Sequence, residues 1–292
     1  MKINHVGVPS DETLPFFAYG IFKPGQIAYD RIKRDVDGEP IEYVVEYEMS
    51  YRDGVPLLEG EKNPNFSTKG FLINFNNPER AYKILAKAER EELYEWGIID
   101  VNGINANALI GKNTECGCFD DHEIRPSNYD YRKDSFFNEA RDLIKECVDE
   151  YKSIEKIDMN DFFIIQMHYM LLWSVIERFC TFKYGYFGIG GNKFNFAREK
   201  VFENSLKNIE REDRIFSSDT LKDSELDSED YEKSIEYYYT IRCNVVHKGK
   251  TVKKEDNIKL KLSLEELFDL FEAVYKDTLN KNNQEQRRLN SH

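Results

Sequence analysis

The sequence predicts an α+β protein of two domains, a small β-rich domain followed by an all-α one. Over residues 1–125, short runs of β-branched and aromatic residues alternate with turn signals. From about residue 134 the apolar residues recur every three or four positions instead, and the polar stretch EIRPSNYDYRKD stands between the two textures. The boundaries that follow are a first domain at 1–125, a linker at 126–133 and a helical domain at 134–292. A chain of 292 residues, 40% hydrophobic and 14% aromatic, has enough apolar material for two cores.

In the first domain IEYVVEYEM, KGFLINF and WGIIDVNGINANALIG read as strands, punctuated by the RDGVP, NNPER and VNG turn signals. PERAYKILAKAEREELYE reads as its one helix. Beyond the linker five segments are helical in period: SFFNEARDLIKECVDEYKSI, MNDFFIIQMHYMLLWSVIERFCTFKYG, NFAREKVFENSLKNIER, EDYEKSIEYYYTIRCNVVHKG and SLEELFDLFEAVYKDTL. Ser263 and Glu266 have the spacing of a capping box at the start of the last one, and Gly185 and Gly249 stand where helices stop. GYFGIGGNK lacks the ending of a phosphate loop and reads as an interhelical connection. The acidic SSDTLKDSELDSEDYE reads as a mobile loop, and the polar tail NKNNQEQRRLNSH as a fraying end.

No apolar run approaches the roughly 20 residues of a membrane span, and MKINHVGVPSDE lacks the basic and apolar regions of a signal peptide. A soluble, cytoplasmic protein is expected. The cysteines, Cys116, Cys118, Cys147, Cys180 and Cys243, are odd in number and scattered, which fits reduced thiols. CGCFDDH gathers Cys116, Cys118, Asp120 and His122, but not at a zinc spacing, and reads as a hairpin tip; no metal or cofactor is expected. His168, in the apolar QMHYMLLW, reads as a core histidine.

The net charge of −13 excludes a protein that coats nucleic acid through a global positive field. Residues 241–261 nevertheless hold seven Lys and Arg against two acids, around Arg242 and His247 and including Lys248 and Lys250. Histidine titrates near neutrality, so His247 can take a proton from a ribose 2′-hydroxyl or return one to a leaving 5′-oxygen. A guanidinium such as Arg242 offers a planar fork to phosphate oxygens. Five positions on a straight helix set the two side chains about 140° apart, so convergence requires the histidine to swing back at a helix end.

Arg242, Asn244 and His247 in RCNVVH, with Glu177 on the earlier helix LLWSVIERFC, resemble the HEPN superfamily over roughly residues 134–285. The resemblance implies a helical bundle and a metal-independent endoribonuclease that leaves 2′,3′-cyclic phosphate ends, of the kind found in toxins and antiviral effectors. Arg242 would bind phosphate with Lys248 and Lys250 beside it, His247 would act as acid and base, and Glu177 and Asn244 would orient them. It also implies a homodimer in which both Arg/His sets face one RNA-binding groove. The aromatic helix of residues 162–184 is the expected dimer face. An ion pair between Arg242 and Glu177, with His247 as a solvated cap, would be written in the same letters.

FFAYGIFKPG, followed by RDGVPLL, TKGFLINF and KILAKAEREELYEWGIIDVNG, resembles gamma-glutamylcyclotransferase-like domains over residues 14–112. That resemblance implies a small mixed β-barrel. Tyr19, Gly20, Ile21 and Phe22 would form a turn whose amides cradle a substrate carboxylate, and Glu89 would be the acid/base that cyclises a γ-glutamyl group. The alternative for Glu89 is one of several acids on a solvated helix face. A cyclotransferase is thus the alternative function. A third is an inactive module that binds RNA or a small molecule, and an antitoxin or a peptide end is a conceivable ligand of the first domain.

Overall fold

The computed structural model describes residues 4–112, 125–185, 188–216, 223–248 and 254–289, with backbone alone for 188, 189, 246–248 and 254–256. The chain divides into two compact units. The first takes residues 1–134, 182–186 and 281–292, and the second 135–181 and 187–280. Among the described residues no helix is long and apolar enough to cross a membrane.

The first unit is built on one mixed sheet. Its strands are β1 (Phe16–Ala18), β2 (Val36–Val45), β3 (Tyr47–Arg52), β4 (Val55–Lys62), β5 (Thr68–Phe75), β6 (Tyr94–Val101) and β7 (Ile104–Gly111), with the helix α1 (Pro78–Ala88) between β5 and β6. The order is β2-β5-β1-β7-β4-β3, and β6 pairs along the other edge of β7. Two tight hairpins form where two successive residues accept positive φ, Asp53 (53°) with Gly54 (75°) and Asn102 (53°) with Gly103 (90°).

One edge of β7 is shared by two short parallel contacts. β1 pairs with it at Phe16↔Asn107, and β4 at Leu58↔Ile110. The core beneath contains Phe16, Phe22, Tyr29, Leu57, Ile73, Tyr82, Leu85, Tyr94 and Leu109. A closed barrel would require β2 and β3 to meet. Among the described residues they remain the two ends of the strand order, so the expected barrel is instead an open mixed sheet.

α1 starts where the Asn77 side chain accepts the Arg80 amide and Pro78 takes the first turn, and it buries Ala81, Tyr82, Leu85 and Ala86. It is shorter than the sequence implies. Glu89 is already extended, with φ −116° and ψ 149°, and its carbonyl accepts the Val6 amide. The run of acids after it leads into β6 rather than covering a helix face.

The stretch expected to be a linker is partly buried in the first unit. Tyr129 and Tyr131 are 1% and 0% exposed. The Ser127 carbonyl accepts the Lys69 amide, and buried Lys23 donates to the Tyr129 carbonyl at 2.7 Å. The tail expected to fray is helical to Leu289, because its polar side chains have fixed partners in the same unit. The Asn282 amide donates to the Tyr131 phenol oxygen, Arg132 donates to Asn283 and Gln286, and Lys33 pairs with Glu285.

The second unit comprises α2 (Ser135–Tyr151), α3 (Met159–Tyr184), α4 (Gly188–Ala197), α5 (Lys200–Leu206), the hairpin β8 (Asp213–Phe216) and β9 (Asp223–Leu226), α6 (Tyr231–Lys248) and α7 (Lys254–Leu289), apart from the parts of α3 and α7 that belong to the first unit. Its core is aromatic, with Phe179, Phe196, Phe202, Phe271 and Tyr275 in mutual edge and stacked contacts. Three expectations change here. The glycine-rich connection forms α4, part of the acidic loop forms β9, and Ser263 lies inside α7, fully buried, rather than at its cap.

α3 ends as expected, with Gly185 at φ +97° after Tyr184. Its expected dimer face is largely spoken for, since Phe162, Tyr169, Trp173 and Phe179 are buried in their own unit. The exposed apolar side chains are Met159, Phe163 and Met167, spaced by four residues.

The packing of residues 127–132 makes a stability prediction. Tyr131→Ala removes a fully buried ring and the hydrogen bond to Asn282, and is expected to cost about 3–5 kcal/mol. Urea unfolding monitored by circular dichroism reads this. A loss under about 0.5 kcal/mol would mean the segment behaves as a linker.

Candidate functional site

Two sets of residues hold the candidate chemistry, one in each unit. In the first, β1 ends at Ala18 and the chain turns through Tyr19, Gly20, Ile21 and Phe22. The turn is closed by the Lys23 amide donating to the Gly20 carbonyl and the Ala28 amide donating to the Ile21 carbonyl. A side chain on Gly20 would stand 3.2 Å from the Pro56 ring, which favours glycine there. Tyr19 and Phe22 are buried and Ile21 packs on the core. The Tyr19 hydroxyl donates to the Leu109 carbonyl at 2.5 Å and accepts the Leu58 amide at 3.4 Å.

Glu89 lies within electrostatic reach of this turn. Its charge raises both the Tyr19 and the Tyr94 phenol, after burial as the larger cause in each. Some of the residue reaches solvent, yet burial pushes its carboxyl from the ordinary 4.5 up to about 8, with Arg31 pulling in the opposite direction. At neutral pH the carboxyl is mostly protonated and able to give or take a proton.

Arg31 completes the set, and the sequence reading missed it. Its guanidinium sits 5.3 Å from the centre of the Phe22 ring, and burial lowers it to about 10, with Glu89 opposing. No ion pair joins Arg31 to Glu89 among the described residues, and the Arg31 Nη1 is buried without a hydrogen-bond partner. No pattern in the sequence marks an arginine placed under the turn from a following 3-10 turn, Tyr29–Arg31.

In the second unit Arg242 and His247 both lie on α6, which continues to Lys248. The helix therefore carries through the motif, and the roots of the two side chains are set about 140° apart. The side chains of His247 and Lys248, and the whole of Lys250, fall outside the described residues, as do Cys116, Cys118, Asp120, His122 and Gly249.

Arg242 is half-buried. Its Nε is enclosed and has no hydrogen-bond partner, and its guanidinium lies 5.6 Å from the centre of the Tyr239 ring. Glu177, half-buried on α3, forms no ion pair with Arg242 among the described residues; its carbonyl accepts the Thr181 hydroxyl. The Asn244 amide donates to the Phe216 carbonyl at 2.9 Å, tying α6 to the end of β8. Lys193 of α4, which the sequence reading left in a loop, lies 3.8 Å from the centre of the same Tyr239 ring and pairs with Glu236 at 2.5 Å. Trp173 meets that ring edge-on at 5.5 Å. Tyr239 thus gathers two cations and a second aromatic around the arginine of the motif. His168 caps its own helix turn, with Nδ1 2.7 Å from the Ile164 carbonyl.

Compared with protein-family models, curated proteins and solved structures, the chain matches none.

The Glu89 carboxyl sets a pH signature. Because its folded value is raised, its contribution to stability is complete below the ordinary 4.5 and is lost as pH rises toward about 8. Glu89→Gln has no such titration, so its stability relative to the parent is expected to climb between pH 5 and 8. Chemical melts across that range read the difference, and parallel curves would show an ordinary carboxyl.

Proposed function

We propose that the helical unit is a metal-independent endoribonuclease of HEPN type, a toxin or antiviral effector regulated by the N-terminal unit. The observation that carries this reading is the state of Arg242. The competing structural role requires an ion pair with Glu177, and among the described residues that pair is not formed. A guanidinium with an enclosed, unpartnered Nε, beside Tyr239 and Lys193, is supplied for an anion from outside the chain. Phosphate fits its planar fork, and the local surplus of cations offsets the overall charge of −13.

In the reaction His247 removes the 2′-hydroxyl proton, the 2′-oxygen attacks phosphorus, and the 5′-oxygen leaves with a proton, giving a 2′,3′-cyclic phosphate. Arg242 stabilises the charge gathering on the phosphoryl oxygens. A second copy would supply a second imidazole as the proton donor, and the exposed Met159, Phe163 and Met167 offer an apolar face for that pairing.

The test uses the full chain, RNA and EDTA. Cleavage to cyclic phosphate ends is expected, with His247→Ala and Arg242→Ala each lowering the rate at least about 100-fold. Expression of the parent in bacteria should arrest growth while the variants do not. Cleavage that survives both substitutions would reject the site.

A specific observation favours a second activity in the first unit. Glu89, held mostly protonated and within electrostatic reach of the Tyr19 turn, is suited to relay a proton between the amine and the leaving group of a γ-glutamyl amide. The α-amine would attack the γ-carbonyl, forming a five-membered lactam and releasing the other amine. With the full chain and a γ-glutamyl amide, Glu89→Gln is expected to reduce lactam release by about 100-fold or more, as read by chromatography. Equal release from the parent and the variant would remove Glu89 from the chemistry.

A further inference from the structure

We propose that Arg31 anchors the carboxylate of a small molecule bound beside Glu89 and the Tyr19–Phe22 turn, which makes it a specificity-determining residue of that site. The location rests on the Glu89 reading; the anchoring role stands on the arginine itself. A buried guanidinium normally has a carboxylate or several carbonyl oxygens around it, because an uncompensated buried charge is costly. Here Nη1 is enclosed and unpartnered, and the acid whose charge reaches Arg31 is Glu89, which no ion pair joins to it. With Glu89 mostly protonated at neutral pH, Arg31 is a fixed positive charge without a counter-ion among the described residues.

The guanidinium is also held in place. The Phe22 ring lies 5.3 Å away on one side. On another is Gly185, where an added Cβ would stand 2.7 Å from Nη2 and where φ of +97° already favours glycine. A side chain at residue 185 would push the fork aside. The neighbouring hydroxyls are engaged with the backbone, Tyr19 donating to Leu109 and Tyr94 donating to the Pro56 carbonyl at 2.9 Å. That leaves the turn amides and the arginine as donors, and of these the arginine carries the charge and the planar fork that suits a carboxylate. The ligand class is therefore a small carboxylate that also carries a carbonyl for the protonated Glu89.

The experiment compares 5-oxoproline with 2-pyrrolidinone, the same lactam without the carboxylate, at matched ionic strength, by thermal melts and calorimetry on the full chain. The acid should stabilise the parent and Glu89→Gln, and the neutral lactam should not. Arg31→Gln should bind the acid at least about tenfold more weakly and lose the preference. Arg31→Lys, which keeps the charge without the fork, should fold and also bind about tenfold more weakly. Acid and lactam acting alike on the parent, or acid affinity unchanged in either Arg31 variant, would overturn the proposal. Acid preference without any turnover of a γ-glutamyl amide would reject the Glu89 chemistry and keep Arg31. Turnover without acid preference would do the reverse.

Discussion

The first unit depends on how β7 changes partner along one edge. β1 supplies one register pair, ends, and leaves β4 to resume three positions later. The gap between them would expose a backbone amide on β4 and a carbonyl on β7, and the Tyr19 hydroxyl meets both, at Leu58 and Leu109. One phenol therefore does the work of a missing ladder bond. The chain must leave the sheet at that point, and the turn that follows feels the charge of Glu89 and carries the ring beside Arg31. Tyr19 belongs to the site as its frame, since both hydroxyl valences are used by the backbone.

The helical unit has a comparable anchor. Arg211 donates to Glu266 twice and also to Asp213, Tyr237 and Ser263, tying β8, α6 and α7 together. Its charge is fully answered, and those partners hold it above the ordinary arginine range despite burial. Arg242, on the same α6, receives no such treatment. The contrast is between two partly buried arginines, one saturated with partners and one whose Nε has none.

Much of this was legible in the letters. Alternation and turn residues located the strands, a period of three to four located most helices, and the Tyr19–Phe22 turn and Glu89 were named before their geometry was known. The misses share a cause. Tyr129, Tyr131, Asn282 and Gln286 are fixed by hydrogen bonds between distant segments, which leave no periodic trace, so they read as linker and tail. Residues 188–197 are helical despite three glycines, and Lys193 reaches Tyr239 from there. Arg31 was invisible because nothing local distinguishes a buried arginine from a solvated one. The letters also implied closure of the sheet, and closure depends on edge strands meeting in space.

The first unit includes residues 281–292, with the Tyr131, Arg132 and Lys33 side chains held by the last turns of α7. Synthesis delivers those turns after everything else described here. While the chain is being made, the entire helical unit emerges before the N-terminal unit has its closing piece. Tyr131 must wait for Asn282 and Arg132 for Gln286, so residues 129–132 reach their final packing only after the whole helical unit has been made.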